Sequence, residues 1–327
     1  MRTIFFKNSP SIIAASSVGG PKESAGPLGE YIETKAKEDT FGEKTFEKAE
    51  KKMLYTAIGN SIKNADKTVE DIDAIIAGDL LDQIISATFS ARSFDSAYLG
   101  VYNACATFTE AITIGATMID GGYLKNVVCG TSSHFSSAER QYRYPLELGC
   151  TRPPQAQWTV TGAGACVIGK GEGAKVTSAT IGRVIDFGVT DVNNMGAAMA
   201  PAAADTLYTH FTETGKTPAD YDLIVSGDLG ALGSKILKDL IWQKGYDISK
   251  NHADCGELVY TADEKEYQGG SGAGCSSMVF CSYLYKKLRE KSLKKILLMS
   301  TGALLSSLSA QQGESIPGIA HAVSIES

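Results

Sequence analysis

The residues of this 327-residue chain whose types and spacing could do covalent chemistry gather around Cys105. The stretch Tyr98 to Asp120, YLGVYNACATFTEAITIGATMID, opens with short apolar residues suited to a buried strand (Tyr98, Leu99, Val101, Tyr102). It turns through Asn103, Ala104, Cys105 and Ala106 and then shows a helical pattern, with Phe108, Ala111, Ile112, Gly115 and Met118 at spacings of three and four. Thr107 and Thr109 can cap the turn, and Glu110 falls in the first turn, where a negative charge suits the helix dipole. This places the Cys105 thiol at a helix N-terminus, whose unpaired N–H groups favour the thiolate, the nucleophilic form. The small neighbours Ala104 and Ala106 would let a ligand approach the backbone. A buried structural cysteine fits the same pattern, because free cysteine is among the most buried residue types.

The rest of the chain bounds what such a thiol could serve. Charged residues make up 21% and the net charge is −6, with no basic stripe and interleaved aromatics, which argues against nucleic acid as a partner. The start, MRTIFFKNSPS, carries too short an apolar run for a signal peptide, and no apolar span reaches about 18 residues. A soluble or peripheral protein is expected. Seven widely spread cysteines, an odd number, make no disulfide framework and suit a reducing compartment. No Cys/His cluster has zinc spacing, so no metal site and no cofactor are expected.

Two sets of elements must position Cys105. In the first, a helix from about Thr45 to Ala65 turns Ala49, Met53, Leu54, Ala57 and Ile58 inward, and Asp73 to Leu80 is a buried strand. Asn126 to Cys129 is a strand delivering the polar run GTSSHFSSAE (Gly130 to Glu139), and Gly162 to Gly169 closes the half. In the second, Lys175 to Asp186 and Tyr221 to Leu229 are strands, Pro201 to Thr214 and Ser234 to Lys244 helices, and Gly269 to Gly274 a glycine loop. A helix from Ala273 to Lys291 and strands Lys295 to Ser300 and His321 to Glu326 complete it. The two sets repeat: DAIIAGDL at Asp73 answers DLIVSGDL at Asp222, NACATF at Asn103 answers GAGCSS at Gly272, and KNVVCGTSS at Lys125 answers KKILLMSTG at Lys294. The expected organisation is two α/β halves, 1–172 with the cysteine elbow and 173–327, each a βαβ-containing unit with a mostly parallel sheet and strand ends meeting at a shared pocket.

Two αβαβα halves with a cysteine on the elbow of the first central helix resemble the thiolase-like superfamily across nearly the whole chain. The strings NACATF, GTSSHFSSAERQYRYPLELG, TRPPQAQWTVTGAGA and DFGVTDVNNMGAAMAPAAADT resemble, more specifically, its stage V sporulation protein AD family. The resemblance implies a five-layered fold with two mixed, mostly parallel sheets, and a homodimer. It implies a spore protein that binds dipicolinic acid, or its calcium chelate, and helps move it into the developing spore. It also implies a peripheral place at the spore inner membrane among the SpoVA membrane proteins, with a role in germination as a further expectation.

The chain departs from working enzymes of the superfamily, which pair the elbow cysteine with a histidine after the second-half strand and a histidine or asparagine in the glycine loop. Here those places read Ser226-Gly227-Asp228-Leu229 and Gln268-Gly269-Gly270-Ser271-Gly272. Of His134, His210, His252 and His321, His134 is best placed to reach the elbow. A binding protein without catalysis is the expectation, with an acyl-transfer enzyme using Cys105 and a scaffold with a vestigial pocket as rivals. A flat aromatic dianion needs N–H or cationic donors and flat walls. Asn103, Cys105, Ser132, Ser133 and His134 are candidate polar contacts, Arg140, Arg143 and Arg152 candidate cations, and Tyr142, Tyr144 and Trp158 candidate walls. Asp79, Asp82, Glu139 and Asp228 suit a calcium-bearing ligand or a protonated carboxyl; Asp79 and Asp228 can equally cap loops at equivalent strand ends.

Overall fold

A computed structural model describes residues 1–143, 145–149, 151–261 and 268–327. Ten strands carry the fold: β1 (Ser11–Gly19), β2 (Ala74–Gly78), β3 (Ala97–Gly100), β4 (Asn126–Ser133), β5 (Gly162–Gly169), β6 (Ala174–Thr180), β7 (Leu223–Ser226), β8 (His252–Asp254), β9 (Lys295–Ala303) and β10 (Gly318–Glu326). Their order across the sheet is β8-β7-β9-β10-β6-β1-β5-β4-β2-β3, so the strand order of the first half recurs in the second. In each half the outer pairs are parallel (β2 with β3 and β4; β7 with β8 and β9) and the inner pairs antiparallel. The half-sheets meet where Ser11 and Ile12 pair with Lys175 and Ala174, which joins them into one hydrogen-bonded path. They are thus mixed, and more antiparallel than the βαβ reading alone suggests.

Helices fill the other layers. α1 (Phe46–Asn64) is capped by the Thr45 hydroxyl, which accepts the Lys48 N–H at 3.3 Å, and it lays its fully buried Met53, Leu54 and Ile58 on the first half-sheet. α2 (Ile85–Ala91) follows β2. α3 (Thr107–Asp120) packs on β4 and on β9 and β10, between the half-sheets, through Phe108, Ile112 and Ile119. α4 (Phe135–Tyr142) follows β4; α5 (Met195–Thr214) and α6 (Gly230–Trp242) cover the outer face of the second half. α7 (Ala273–Val279) shares the central layer with α3 and continues through a π turn, Phe280–Leu284, into Tyr285–Arg289. The result is helix, sheet, helix, sheet, helix.

Two expectations change. The strand expected over Asn126 to Cys129 runs on into the polar run: Gly130–Ser133 continues β4 and is buried. Its hydroxyls find partners there, since Thr131 donates to the Ala273 carbonyl at 2.7 Å and Ser133 to that of Val160 at 2.6 Å. α5 starts six residues before Pro201, at Met195, where the Asn194 side chain accepts the Ala197 N–H at 3.4 Å. Pro201 therefore lies inside the helix, where its missing N–H would have served the Ala197 carbonyl.

One close approach fixes the elbow. A Cβ on Gly302 of β9 would sit 2.3 Å from the Asn103 carbonyl and 3.1 Å from the Ala106 nitrogen. Gly302→Ala is expected to lower stability by about 1–3 kcal/mol in urea unfolding, because backbone must shift. Gly59→Ala in α1, with nothing within 4 Å of the new methyl, is the control and should stabilise by about 0.5–1 kcal/mol.

Candidate functional site

The β3–α3 elbow presents Cys105. Ala104 holds a left-handed backbone (φ 49°), a strained state for a residue with a Cβ. Thr107 staples the turn: its hydroxyl donates to the Ala104 carbonyl at 2.6 Å and accepts the Asn103 N–H at 2.9 Å. The short side chains at 104 and 106 leave Cys105 at the boundary between the halves, 8% exposed.

What faces the thiol is Asp228, at the end of β7 and almost fully buried. Its carboxylate accepts the Thr301 hydroxyl at 2.7 Å, the Gly272 N–H at 3.0 Å and the Ser271 hydroxyl at 3.2 Å, and the Cys105 S–H donates to it as well. Burial and then the negative charge of Asp228 push the thiol well above its usual range, against the Gly272 N–H and Ser271 hydroxyl, which pull it down. The expectation of a thiolate at a helix N-terminus is therefore corrected. Desolvation beside a carboxylate outweighs the helix end, and the thiol stays protonated.

The cavity above Cys105 is small, about 50 Å³. Leu80, Tyr102, Tyr142, Met195, Met199 and Leu305 form most of its wall; Ser271, Thr159 and Arg143 add polar groups. Among the described residues, Arg143 is the cation that reaches it. Its side chain is 7% exposed, one guanidinium nitrogen lies 3.2 Å from Glu139, and its Nε–H is buried with no hydrogen-bond partner among the described residues. Glu139 is held by Arg143 and Arg152 and does not line the cavity. Sequence reasoning misses Tyr102, Met195 and Met199 as walls. The methionines' four-residue spacing is the available signal, but the Gly/Asn-rich segment around them reads as a loop.

Most other candidates lie elsewhere. Asp79 caps: one oxygen accepts the Leu81 N–H at 2.8 Å, the other the Ala87 N–H at 2.7 Å. Ser132 donates to the buried Glu50 at 3.1 Å, and Ser133 to Val160. His134 does not reach the elbow. It caps α4 by accepting the Ser136 N–H at 3.1 Å and donates from Nε2 to the Asp39 carbonyl at 2.8 Å. Arg140 pairs with Glu47 at the surface, and Asp82 is exposed beside the loop after β2. Trp158 stacks flat on Phe135 (centroids 3.9 Å apart) with Arg152 over both rings. Asn103 lies 3.3 Å from His321 Nε2, behind the elbow. Tyr144 is outside the described residues. Thus the structure brings together Cys105, Asp228, Arg143 and Tyr142, and disperses the rest.

Among the described residues no histidine lines the cavity. His321 accepts the Gly182 N–H and is pushed down to about 4 by burial; His210 sits between Thr180 and Tyr221, also at about 4; His252 bonds Ser226 and is pushed to about 3. Asp228, the carboxyl that faces the thiol, is itself pushed up by burial, but the thiol is pushed up as well, so the two stay poorly matched for proton transfer. The described residues also hold no group of three or more His, Cys, Asp or Glu placed to bind a metal.

Buried carboxyls set a pH dependence. Burial pushes Glu23, Asp79 and Asp254 up to about 7 each. The native state then keeps protons that the unfolded chain releases above about 4. That stabilisation is complete below pH 4 and is lost as pH rises through 7, by up to about 1.4 kcal/mol per pH unit for each group. Through these carboxyls, urea midpoints should fall from pH 5 to pH 8. Glu23→Gln keeps an acceptor for Thr161 N–H and Tyr260 and should flatten the slope. Below about pH 6.5 the buried neutral His210, His252 and His321 act in the opposite sense, so the carboxyl effect is read as the difference between wild type and Glu23→Gln, and identical slopes in the two would contradict the burial argument.

The architecture and the elbow define a thiolase-like protein. Solved structures with this fold include OleA of Xanthomonas campestris, in a single-residue variant (TM-score 0.63, 15% identity, 99% of this chain and 98% of that one). The 3-oxoacyl-[acyl-carrier-protein] synthase III of Aquifex aeolicus VF5 also shares it (TM-score 0.58, 15% identity, 97% of this chain and all of that one). A family model for stage V sporulation protein AD matches residues 1–326. The stage V sporulation protein AD of Bacillus subtilis (strain 168) is 43% identical over 326 residues, covering 99% of this chain and 96% of that protein. The chain belongs to the stage V sporulation protein AD family.

Proposed function

We propose that this protein binds dipicolinic acid, or its calcium chelate, in the Cys105 cavity without chemical turnover, and so supports its movement into the developing spore and its later release in germination. The observation that carries the reading is the pairing of an Arg143 Nε–H that has no partner among the described residues with a protonated thiol in an apolar slot. One ligand carboxylate meets the guanidinium. The ring lies among Tyr102, Tyr142 and the methionines. The cavity must widen for the ring to enter. The test is calorimetric titration of dipicolinic acid, with and without calcium, into folded protein. Saturable one-to-one binding supports the reading; no heat under either condition overturns it.

A second reading, acyl transfer through Cys105, rests on the retained elbow and on the enzymes that share the fold. It predicts an acyl adduct on Cys105 by mass spectrometry after incubation with acyl-CoA. An unmodified mass across several chain lengths counts against it. The protonated thiol and the lack of a histidine on the cavity among the described residues support the non-enzymatic reading.

The same proposal places the protein peripherally at the spore inner membrane with the SpoVA membrane proteins. No helix among the described residues is long and apolar enough to cross a membrane. A homodimer pairing along the open edge of β3 is part of the reading, supported by the uncharged segment Ser96 to Val101 and by Leu99, 40% exposed. Light scattering of Leu99→Lys should then report monomer.

A further inference from the structure

Trp242 is out of place for a folded domain. It ends α6 with 66% of its surface exposed, whereas the chain's other tryptophan, Trp158, is stacked on Phe135. Lys238 and Lys235 precede it by four and seven residues, one and two turns back on the same helix face. Beyond the helix end Lys244 lies 4.7 Å over the ring of Tyr208, itself 38% exposed and edge-on to Tyr246 at 6.3 Å. From Lys235 to Lys250 the chain carries four lysines against Asp239 and Asp247, a local charge of +2 in a chain of −6. No ion pair engages these lysines among the described residues.

We infer that this end of α6 is a docking face for an anionic lipid surface, which rests on the peripheral-membrane part of the proposed function but on none of the cavity residues. Three features favour lipid over protein. The cations are all lysines, which protein interfaces exclude and bilayer surfaces attract. The aromatics are tryptophan and tyrosine, whose apolar bodies and polar tips suit the headgroup layer. The site is also the exposed end of a helix, with Trp242 and the residues just after it open to solvent.

The two-tryptophan composition makes the face directly readable. In a Trp158→Phe variant, with unchanged circular dichroism, all indole emission comes from Trp242. Vesicles containing phosphatidylglycerol should shift that emission to the blue, and brominated acyl chains should quench it; pure phosphatidylcholine vesicles should do neither. Lys238→Gln with Lys244→Gln should weaken vesicle sedimentation by about thirtyfold, and high salt should release the protein. Unchanged emission with anionic vesicles overturns the inference. So does equal binding to neutral vesicles, or a shift that follows protein concentration without lipid, which would mean that a second copy covers the face. Titration of dipicolinic acid in the same variants keeps failure here distinct from failure of the cavity reading.

Discussion

Arg143→Gln should weaken dipicolinate binding by about a hundredfold. A hydrogen bond between charged partners contributes about 1.5–3 kcal/mol, which is roughly 10- to 150-fold in affinity. The upper part of that range applies here because the guanidinium is nearly buried and its Nε–H has no other partner among the described residues. The protein should stay folded, since Glu139 keeps Arg152 when Arg143 is lost. Arg143→Lys separates charge from geometry: an ammonium restores the charge but not the planar fork, so affinity should recover only in part. Arg140→Gln serves as the control. Its pair with Glu47 lies at the surface, away from the cavity, and its loss should leave binding unchanged. Equal affinities for wild type and Arg143→Gln would remove the cavity as the ligand site.

The sequence made the scaffold legible where structure is local. The elbow at Asn103–Ala106, the apolar face of α1 and the order of the repeated strands all follow from periodicity and small-residue turns within short windows. The pairing of Asp228 with Cys105 could be anticipated only as a juxtaposition of equivalent strand ends. Its sign, a thiol held protonated, depends on burial, which no window of sequence reports. The misplaced candidates share one physical cause. Ser132, Ser133 and His134 look like site residues because they are polar at a strand end. Each is instead satisfied by a partner far away in the chain: Glu50, Val160 and Asp39. A buried polar residue is informative only once its partner is known. Asp79 and Asp228 illustrate the point. They are repeats of one another in sequence, yet one caps a helix and the other faces the thiol.

Asp228→Asn should speed alkylation of Cys105 by at least about tenfold at a pH near 8. Asparagine can keep the hydrogen bonds to Ser271 and the Gly272 N–H through its carbonyl, while its amide donates to the Thr301 hydroxyl, whose own O–H must turn to another acceptor. What disappears is the negative charge and the acceptor that favour S–H over thiolate. Each unit of thiol pKa removed raises the thiolate fraction about tenfold while the group remains mostly protonated. Burial remains, so the variant should still react more slowly than an exposed cysteine. Ser271→Ala should act in the opposite sense, because that hydroxyl favours the thiolate. Iodoacetamide labelling of Cys105, followed by peptide mass spectrometry, reads both. The gain should be in reactivity alone: neither variant acquires a base of matched pKa, so acyl-CoA turnover should not appear. Rapid labelling of the wild-type thiol at neutral pH would show that Asp228 does not silence it, and the retained cysteine would then have to be read as a nucleophile.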